Sequence, residues 1–339
     1  MTRPDRTATA GESRIVIHIG THKTATTHLQ DMFFANRKLL KSKGVVFPYL
    51  GRTHGQHGLA SDWIKMPFPY AMANSKRAWR KLVRAHSGKP HTVFVSSEEL
   101  SRLRPTKVDM AELRQLVAGF DQVQVICTLR NQASFVQSVY QQVSTGRNPD
   151  HWDVFYQRAR DHTIVDGLTL DYNVLYRHIL TGFAPDEIRF LSYDTAITQP
   201  GGIVGAFLDI LGADLRVEDL KPFGQGHSNV SANPLATFAA NSVAAPRVAN
   251  PGLVDVMARC LAMASKSTGK STLFTRTELA EMREVFLPLN HQFINRIASL
   301  QPGFSIGPML GPGVDTFRGR LNEAFWIRVY RELALARAA

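Results

Sequence analysis

Hydrophobic residues are grouped along the chain in five short runs rich in β-branched residues, separated by stretches with helical spacing. Such apolar runs predict strands that are buried on both faces, as in a parallel sheet. The predicted strands are Arg14–Gly20, Val45–Pro48, His91–Ser97, Gln122–Arg130 and Glu187–Asp194. Strands that alternate with helices predict crossover connections, and therefore an α/β fold with a central parallel sheet of about five strands.

Apolar positions three and four residues apart predict helices between these strands and after them. Between the strands, the helical segments are 26–44, 75–86, 110–120, a segment that begins near residue 133, and 201–212. After about residue 230 the strand pattern ends, and helical segments such as 276–300 and 320–339 follow. We therefore predict a disordered tail over 1–13, an α/β core over 14–230, and a mostly helical part over 231–339 packed on the same domain.

The charge balance indicates an anionic partner. The chain has 339 residues, and 40 lysines and arginines exceed 28 acidic residues, which gives a net charge of +12. Such an excess favours a nucleotide, an acidic glycan, a nucleic acid or a membrane surface as partner. No apolar run reaches the roughly 20 residues that a membrane span needs, and the first residues lack the apolar centre of a signal peptide.

The two cysteines, Cys127 and Cys260, both lie in apolar runs and lack the spacing of metal ligands. We predict that they are buried free thiols, because isolated cysteines in such runs behave as small apolar residues. This cysteine usage fits a reducing compartment, and we expect a cytoplasmic protein.

The segment IHIGTHKTATTHLQ, from Ile17 to Gln30, joins the first predicted strand to the first predicted helix. A strand, a tight loop and a helix start direct backbone N–H groups at an anion. If Gly20 is the first glycine of a Walker A motif, the lysine of that motif belongs at position 26, where this chain has Thr26. The lysine of this loop is Lys23, three positions before Thr26. We predict that Lys23 contacts the group attached to a phosphate bound by the loop, whose residues are Gly20, Thr21, His22, Lys23, Thr24, Ala25, Thr26 and Thr27.

This loop closely resembles the 5′-phosphosulfate loop of sulfotransferases, especially bacterial carbohydrate-type members whose loop is approximately H-I-G-x-x-K-T-G-T-T. The resemblance implies a P-loop-like three-layer sandwich. It also implies transfer of a sulfuryl group from 3′-phosphoadenosine 5′-phosphosulfate (PAPS) to a hydroxyl or amine, with 3′-phosphoadenosine 5′-phosphate (PAP) as product. Ala25 replaces the usual glycine, and its methyl group crowds the loop if this position requires a positive φ.

The resemblance further implies a site for the 3′-phosphate, formed by an arginine at the end of a later strand and a serine eight positions on. Arg130 closes the fourth predicted strand, and Ser138 follows at this spacing in the next predicted helix. An arginine offers a rigid fork that binds phosphate through two hydrogen bonds. Arg130 and Ser138 are therefore the predicted 3′-phosphate residues.

Sulfuryl transfer resembles phosphoryl transfer, a loose in-line displacement that depends on positioning and charge stabilisation. We expect Lys23 to stabilise the charge that builds on the bridging oxygen of the leaving phosphate. The resemblance implies that a histidine or glutamate at the carboxyl edge of the sheet activates the acceptor. Glu98 follows the third predicted strand, at that edge, and it is our first choice for this base because the carbohydrate-type members that the chain resembles use a glutamate. Its neighbour Glu99 is expected to raise its pKa. His57, in the loop RTHGQHGLA, is the alternative base.

The acceptor is expected to contact the 51–70 loop, the region around Trp152 and the helical C-terminal half. These parts carry histidines, basic residues and the tryptophans Trp63, Trp79 and Trp152. Aromatic faces offer flat apolar contact to sugars, and basic groups attract anionic glycans, so a saccharide acceptor is the preferred hypothesis. No metal is implied, since the sequence lacks an H-E-x-x-H motif and clustered cysteine and histidine ligands.

Two other classes of protein stay open. A P-loop kinase needs a lysine next to Thr27 and a Mg²⁺-binding acid, and neither is evident. A non-enzymatic protein that binds nucleic acid or another anion would show a contiguous basic stripe with interleaved aromatic residues. Basic residues are instead spread along the chain, so no nucleic-acid partner is predicted, and the oligomeric state is left open.

Overall fold

A computed structural model describes residues 11–148, 151–223, 233–264 and 269–338. The described residues form two compact units whose segments alternate along the chain. The first unit takes its residues from Met1–Arg130, Gly167–Gln225 and Leu289–Gly307, and the second from Asn131–Asp166, Gly226–Pro288 and Pro308–Ala339. Residues 1–10 of the predicted tail and the predicted boundary at residue 230 lie outside the described residues, so these two predictions stay untested.

All five predicted strands are present, slightly shorter than expected, and they form one parallel sheet. The strands of the described chain are β1 (Arg14–His18), β2 (Val45–Val46), β3 (Thr92–Ser96), β4 (Gln122–Leu129), β5 (Ile164–Val165), β6 (Leu168–Thr169), β7 (Ile188–Ser192), β8 (Lys270–Ser271) and β9 (Val314–Thr316). The sheet order is β2-β3-β1-β4-β7, and each neighbouring pair is parallel. The carboxyl ends of the five strands therefore share one edge of the sheet.

The described helices largely follow the predicted segments. They are α1 (Thr26–Ala35), α2 (Arg37–Ser42), α3 (Ser75–His86), α4 (Met110–Leu116), α5 (Gln132–Gly146), α6 (Trp152–His162), α7 (Tyr172–Ile179), α8 (Tyr193–Ala196), α9 (Gly202–Leu211), α10 (Pro234–Ala244), α11 (Pro251–Ala264), α12 (Arg276–Ile297) and α13 (Glu323–Ala338). The predicted helix over 26–44 is instead two helices that meet at Asn36. The Asn36 side chain donates to the carbonyls of Met32 and Lys221, both at 2.9 Å, which favours a break at this residue.

Helices cover both faces of the sheet. Successive residues of a strand point to opposite faces. Ile15 and Ile17 of β1 pack in one core with residues of α3, α4 and α7. Val16 packs in a second core with residues of α1, α2 and α9. The first unit is therefore a three-layer α/β sandwich with a parallel five-stranded sheet, which confirms the predicted fold class.

Two of the tryptophans expected to bind an acceptor are core residues. In the second unit, Trp152 is fully buried, with Tyr156 stacked on it at 6.3 Å and Phe274 edge-on at 4.8 Å. In the first unit, Trp79 is also fully buried, and its Nε1 donates to the carbonyl of Leu59 (3.0 Å). Neither ring offers a face to a sugar, because both faces are used in packing.

Cys127 and Cys260 are buried and free, as predicted. Burial raises the pKa of the Cys127 thiol. A thiol whose charged form is disfavoured in this way is chemically inert and acts as a small apolar residue. Among the described helices, none is long and apolar enough to cross a membrane.

Candidate functional site

The loop between β1 and α1 is anchored to the neighbouring strand β4. Ile19 N–H donates to the carbonyl of Ile126 (2.9 Å), and both the N–H and the hydroxyl of Thr21 donate to the carbonyl of Thr128 (2.8 and 3.0 Å). The Thr24 hydroxyl donates to the carbonyl of Thr21 (2.6 Å) and closes the loop. The N–H and the hydroxyl of Thr21 thus both donate to the carbonyl of Thr128. Thr21 therefore supports the loop, and other loop residues are the candidates for contact with an anion.

The N-terminus of α1 provides free backbone donors next to this loop. The amide of Leu29 is the first to reach an acceptor in the helical pattern, the carbonyl of Ala25 (3.0 Å). The preceding amides, of Thr26, Thr27 and His28, belong to the first turn, where N–H groups have no intrahelical acceptor. These amides and the helix dipole make the start of α1 suited to an anion, and binding of an anion there stays a prediction. Thr27 is exposed there, whereas Thr26 is buried.

Two loop residues with side chains adopt the left-handed backbone region that favours glycine. Lys23 has a φ of 60°, and Ala25 has a φ of 58° and a ψ of 29°. The sequence alone does not show whether position 25 has a positive φ, and in the structure it does. Glycine, the usual residue in the loop that this one resembles, adopts this conformation without a steric cost.

We expect Ala25→Gly to raise the free energy of unfolding by about 0.5–1 kcal/mol, because relief of left-handed strain exceeds the entropy that glycine adds to the unfolded chain. The melting temperature, measured by calorimetry, should rise by about 1–4 °C. Ala78→Gly, the same change inside α3, is the matched control and should lower stability by about 1 kcal/mol. Equal destabilisation by both substitutions would contradict a strained Ala25.

Gly20 brings the loop against the segment that follows β3. It has a φ of 91°, and a Cβ at this position would lie 2.7 Å from the Cβ and 2.8 Å from the Cα of Glu98. A residue with a side chain does not fit so close an approach. Gly20 therefore allows Glu98, the first residue of the 3₁₀ turn Glu98–Ser101, to lie directly beside the loop.

Arg130 reaches the crest of the loop, where it meets Lys23. Its Nη1 donates to the carbonyl of Lys23 (2.9 Å), and its guanidinium lies 5.0 Å from the centre of the Tyr193 ring. The buried hydroxyl of Tyr172 donates to the carbonyl of Arg130. Burial and then the charge of Arg130 lower the pKa of Lys23, while Glu98 acts in the opposite direction. Two cations thus converge beside the anion-binding end of α1.

Ser138, the other residue predicted to bind the 3′-phosphate, lies within α5. This helix belongs to the second compact unit, whereas Arg130 and the loop belong to the first. The contact of Ser138 with the phosphate that Arg130 is expected to bind therefore stays a prediction.

The two candidate bases lie next to each other. His57 Nδ1 is 3.6 Å from Oε2 of Glu98, and Gln30 Nε2 on α1 donates to the same oxygen (3.1 Å). Burial raises the pKa of Glu98, but the charges of His57 and His22 and the hydrogen bond from Gln30 outweigh burial. The pKa of Glu98 therefore lies below its ordinary value, and this carboxylate is ionised at neutral pH.

Glu99 has its own partners and does not act as a coupled acid beside Glu98. His22 Nε2 lies 3.2 Å from Oε1 of Glu99, and Arg102 Nε donates to its Oε2 (2.9 Å). Burial raises the pKa of Glu99, but His22 and Arg102 together lower it to about 2. The expectation that the acid pair raises the pKa of Glu98 is therefore wrong, because both carboxylates lie near His22 and each has a further partner, His57 for Glu98 and Arg102 for Glu99.

His18 and Gln30 belong to the site, although the sequence analysis did not identify them. His18 Nδ1 lies 2.9 Å from the hydroxyl oxygen of Ser96, and burial lowers the pKa of His18 to about 4, so its ring is neutral at pH 7. Gln30 is buried on the same face of α1 as Thr26 and Phe33. The signal available in the sequence was the position of Gln30, which has the spacing of the apolar residues of α1 and is therefore expected to be buried. A buried side-chain amide needs hydrogen-bond partners, which a polar site would provide.

The 51–70 loop presents two exposed rings, one of which lies against the candidate base His57. The Tyr70 ring meets His57 edge-on at 5.3 Å and is 41% exposed. Phe68 is 76% exposed, and the guanidinium of Arg52 lies 4.9 Å from its ring centre. Trp63 is instead partly buried, and its Nε1 donates to Glu112 (2.7 Å). Tyr70 and Phe68 therefore offer the aromatic surface that the sequence analysis assigned to tryptophans.

Within the part of the chain that the structure describes, no three or more His, Cys, Asp or Glu side chains are arranged to hold a metal ion. The expectation of a metal-free reaction stays a prediction. Lys23 and Arg130 provide positive charge at the loop.

Comparison with protein-family models and with curated proteins finds no match. Solved structures that are similar to the chain include three sulfotransferases or sulfotransferase domains. A sulfotransferase from Alicyclobacillus acidocaldarius is 13% identical with a TM-score of 0.42, over 70% of this chain and 94% of that one. The sulfotransferase domain of the Synechococcus PCC 7002 olefin synthase is 14% identical with a TM-score of 0.34, over 74% and 89%. The sulfotransferase domain from the curacin biosynthetic pathway is 11% identical with a TM-score of 0.37, over 82% and 97%.

Proposed function

We propose that this protein is a sulfotransferase that moves a sulfuryl group from PAPS to a hydroxyl or amine, with a saccharide as the preferred acceptor. One observation carries the proposal. Lys23 stands at the crest of an anion-binding loop, its carbonyl is bound by the guanidinium of Arg130, and the ionised Glu98 lies against the same loop. Two cations and one base thus surround the place where a phosphosulfate would bind.

The loop and the start of α1 suit the 5′-phosphate of the donor. The first-turn amides of α1 provide hydrogen bonds and positive potential for a doubly charged oxygen group. As the S–O bond to the phosphate breaks, negative charge develops on the bridging oxygen, and Lys23 Nζ stabilises it. Because burial and Arg130 lower the pKa of Lys23, its ammonium is also a stronger proton donor than an ordinary lysine.

Arg130 suits the 3′-phosphate. Its guanidinium is oriented by the Lys23 carbonyl and by the Tyr193 ring, so little side-chain entropy is lost when it binds an anion. A second phosphate beside Lys23 is what distinguishes PAPS and PAP from ordinary adenine nucleotides. Ser138 is the further residue proposed for this phosphate.

Glu98 is the proposed base. It takes the proton of the acceptor hydroxyl while the acceptor oxygen forms the new S–O bond. Its low pKa makes it a weak base, but one that is ionised over the whole neutral range. His57 is the alternative, since a neutral imidazole can accept the proton while Glu98 stabilises the imidazolium that results.

The proposed saccharide acceptor is supported by two exposed rings of the 51–70 loop, one of which lies against His57. Tyr70 and Phe68 are exposed, and Arg52 adds a cation over Phe68. Exposed rings pack on the apolar faces of sugars, and a nearby guanidinium favours an acidic substituent. The free thiols of Cys127 and Cys260 support a reducing compartment, for which we propose the cytoplasm.

Calorimetric binding of PAP, 5′-AMP and ATP to wild type and to Arg130→Ala tests the donor site. We expect wild type to bind PAP at least about 100-fold more tightly than AMP, because the 3′-phosphate gains charge-assisted hydrogen bonds. Arg130→Ala should lose most of this preference and keep its AMP affinity. Arg283→Ala, which removes an exposed arginine of α12, is the control and should behave like wild type.

The ligand comparison also separates the competing functions. Equal or absent binding of PAP, AMP and ATP would contradict the sulfotransferase proposal. Tight, Mg²⁺-dependent binding of ATP with no preference for PAP would favour a kinase.

A further inference from the structure

One face of α3 forms a continuous row of positive charge. Arg77, Arg80, Lys81 and Arg84 are all exposed and recur at i, i+3, i+4 and i+7, so they share one side of the helix. These four residues are called the α3 stripe. At a rise of 1.5 Å per residue the α3 stripe is about 10 Å long. The opposite face of α3 carries Trp79 and is buried in the core.

The charge of the α3 stripe is not compensated. Residues 63–97 contain no acidic residue but seven lysines and arginines: Lys65, Lys76, Arg77, Arg80, Lys81, Arg84 and Lys89. The acids next to α3, Asp62 and Glu112, are both bound by Lys76 at the first turn of the helix. Among the described residues, none of the four cations of the α3 stripe forms an ion pair. Like charges at these spacings repel, so the α3 stripe itself does not stabilise the helix.

Positive charge continues past the end of the helix. His86 Nδ1 lies 2.9 Å from His91 Nε2. Burial lowers the pKa of both histidines, and the charges of Lys89 and Lys41 lower it further. Lys41 and Lys89 therefore add positive charge at this end of α3.

The α3 stripe leads away from the candidate base. Near the start of α3, Trp79 Nε1 donates to the carbonyl of Leu59, in the 3₁₀ turn His57–Ala60. At its end, His86 contacts His91, the residue before β3. The helix therefore runs from the edge of the sheet that carries His57 and Glu98 to the opposite edge, as expected for a crossover helix.

We propose that the α3 stripe binds an extended acidic polysaccharide, with uronate or sulfate groups, one end of which enters the site at His57 and Glu98. This inference rests on the proposed function, because it names the class of saccharide acceptor. Successive turns of α3 place cations about 5.4 Å apart, close to the length of one sugar ring in a chain. A flexible linear polyanion can follow such a row, with release of its counterions as the main driving force.

The α3 stripe favours a polysaccharide over a single-stranded nucleic acid. Proteins that bind single strands combine cations with exposed rings on which bases stack. The indole ring of α3, that of Trp79, is fully buried and packs in the core. The cations of the α3 stripe thus lack an interleaved stacking surface along their row.

The test is calorimetric binding of a heparin decasaccharide to wild type and to the triple variant Arg80→Ser, Lys81→Ser, Arg84→Ser. Binding at about 50 mM salt should weaken roughly 100-fold, and the slope of log K against log salt should fall by about 2–3, since each lost contact removes close to one released counterion. The control is Arg283→Ser, Arg296→Ser, Arg331→Ser, which removes three exposed arginines of α12 and α13 with the same change in net charge. It should keep the wild-type slope.

PAP binding is measured on the same variants and should be unchanged in both. If wild type binds PAP but the two triple variants lose heparin affinity equally, or neither loses any, this inference is wrong and the proposed function stands. If wild type fails to bind PAP, the proposed function fails. Tighter binding of a single-stranded DNA of equal charge, or equal binding of a neutral dextran oligosaccharide, would also overturn the polysaccharide assignment.

Discussion

Glu98→Gln should lower kcat for sulfuryl transfer by about 10²–10⁴, the range for loss of a positioned general base. Glutamine keeps the size of the side chain, so the close approach to Gly20 is retained and PAP affinity should not change. The measurement is the rate of transfer of labelled sulfur from PAPS to a pool of acidic and neutral saccharides. Glu99→Gln is the matched control, and its effect on kcat should be much smaller, because Glu99 is bound to His22 and Arg102.

The pH dependence of wild type identifies the base. The pKa of Glu98 lies below its ordinary value, so Glu98 stays ionised as the pH falls from 7. If Glu98 is the base, kcat/KM should stay level until the pH falls below about 4.3, the ordinary pKa of a glutamate. Loss of activity already near pH 6.5, where histidines ordinarily titrate, together with a small effect of Glu98→Gln and a large effect of His57→Gln, would show that His57 is the base.

Lys23→Met should lower kcat by about 10²–10³, the typical cost of removing one group that stabilises a developing oxyanion. Methionine keeps the length of the side chain and the same tolerance for a positive φ, so the loop conformation should persist. The affinity for PAP should fall by less than about tenfold, because the α1 amides still hold the 5′-phosphate. The same transfer assay and calorimetry measure both effects.

Lys43→Met is the control for the loss of a lysine, since Lys43 is exposed and its ion-pair partner among the described residues, Asp214, is exposed as well. It should leave both kcat and PAP affinity unchanged. If Lys23→Met abolished PAP binding but the bound enzyme turned over at the wild-type rate, Lys23 would bind the donor without stabilising the leaving oxygen.

Local sequence pattern was sufficient for the sheet and for the loop. Each of the five strands is a short apolar run that is covered on both faces, so composition alone marked it within a few residues. The Gly20–Thr27 loop was identified because a strand, a glycine and a helix start are adjacent in sequence. The side-chain environment within the site was predicted less well. Trp79 and Trp152 were expected to meet an acceptor, but the sequence cannot show which face of a ring its neighbours cover.

The sequence by itself identified the five strands along the chain, the strand–loop–helix segment that carries Lys23, and the candidates Glu98, His57 and Arg130. Only the tertiary structure decided that Arg130 binds the Lys23 carbonyl across 107 residues, and that Glu98 is flanked by Gln30 and His57. It also reversed the expected shift in the pKa of Glu98 and showed that Ala25 has a positive φ. The reason is physical: strand and helix formation depend on neighbours in sequence, whereas a pKa depends on burial and on charges within a few ångströms, which come from distant parts of the chain.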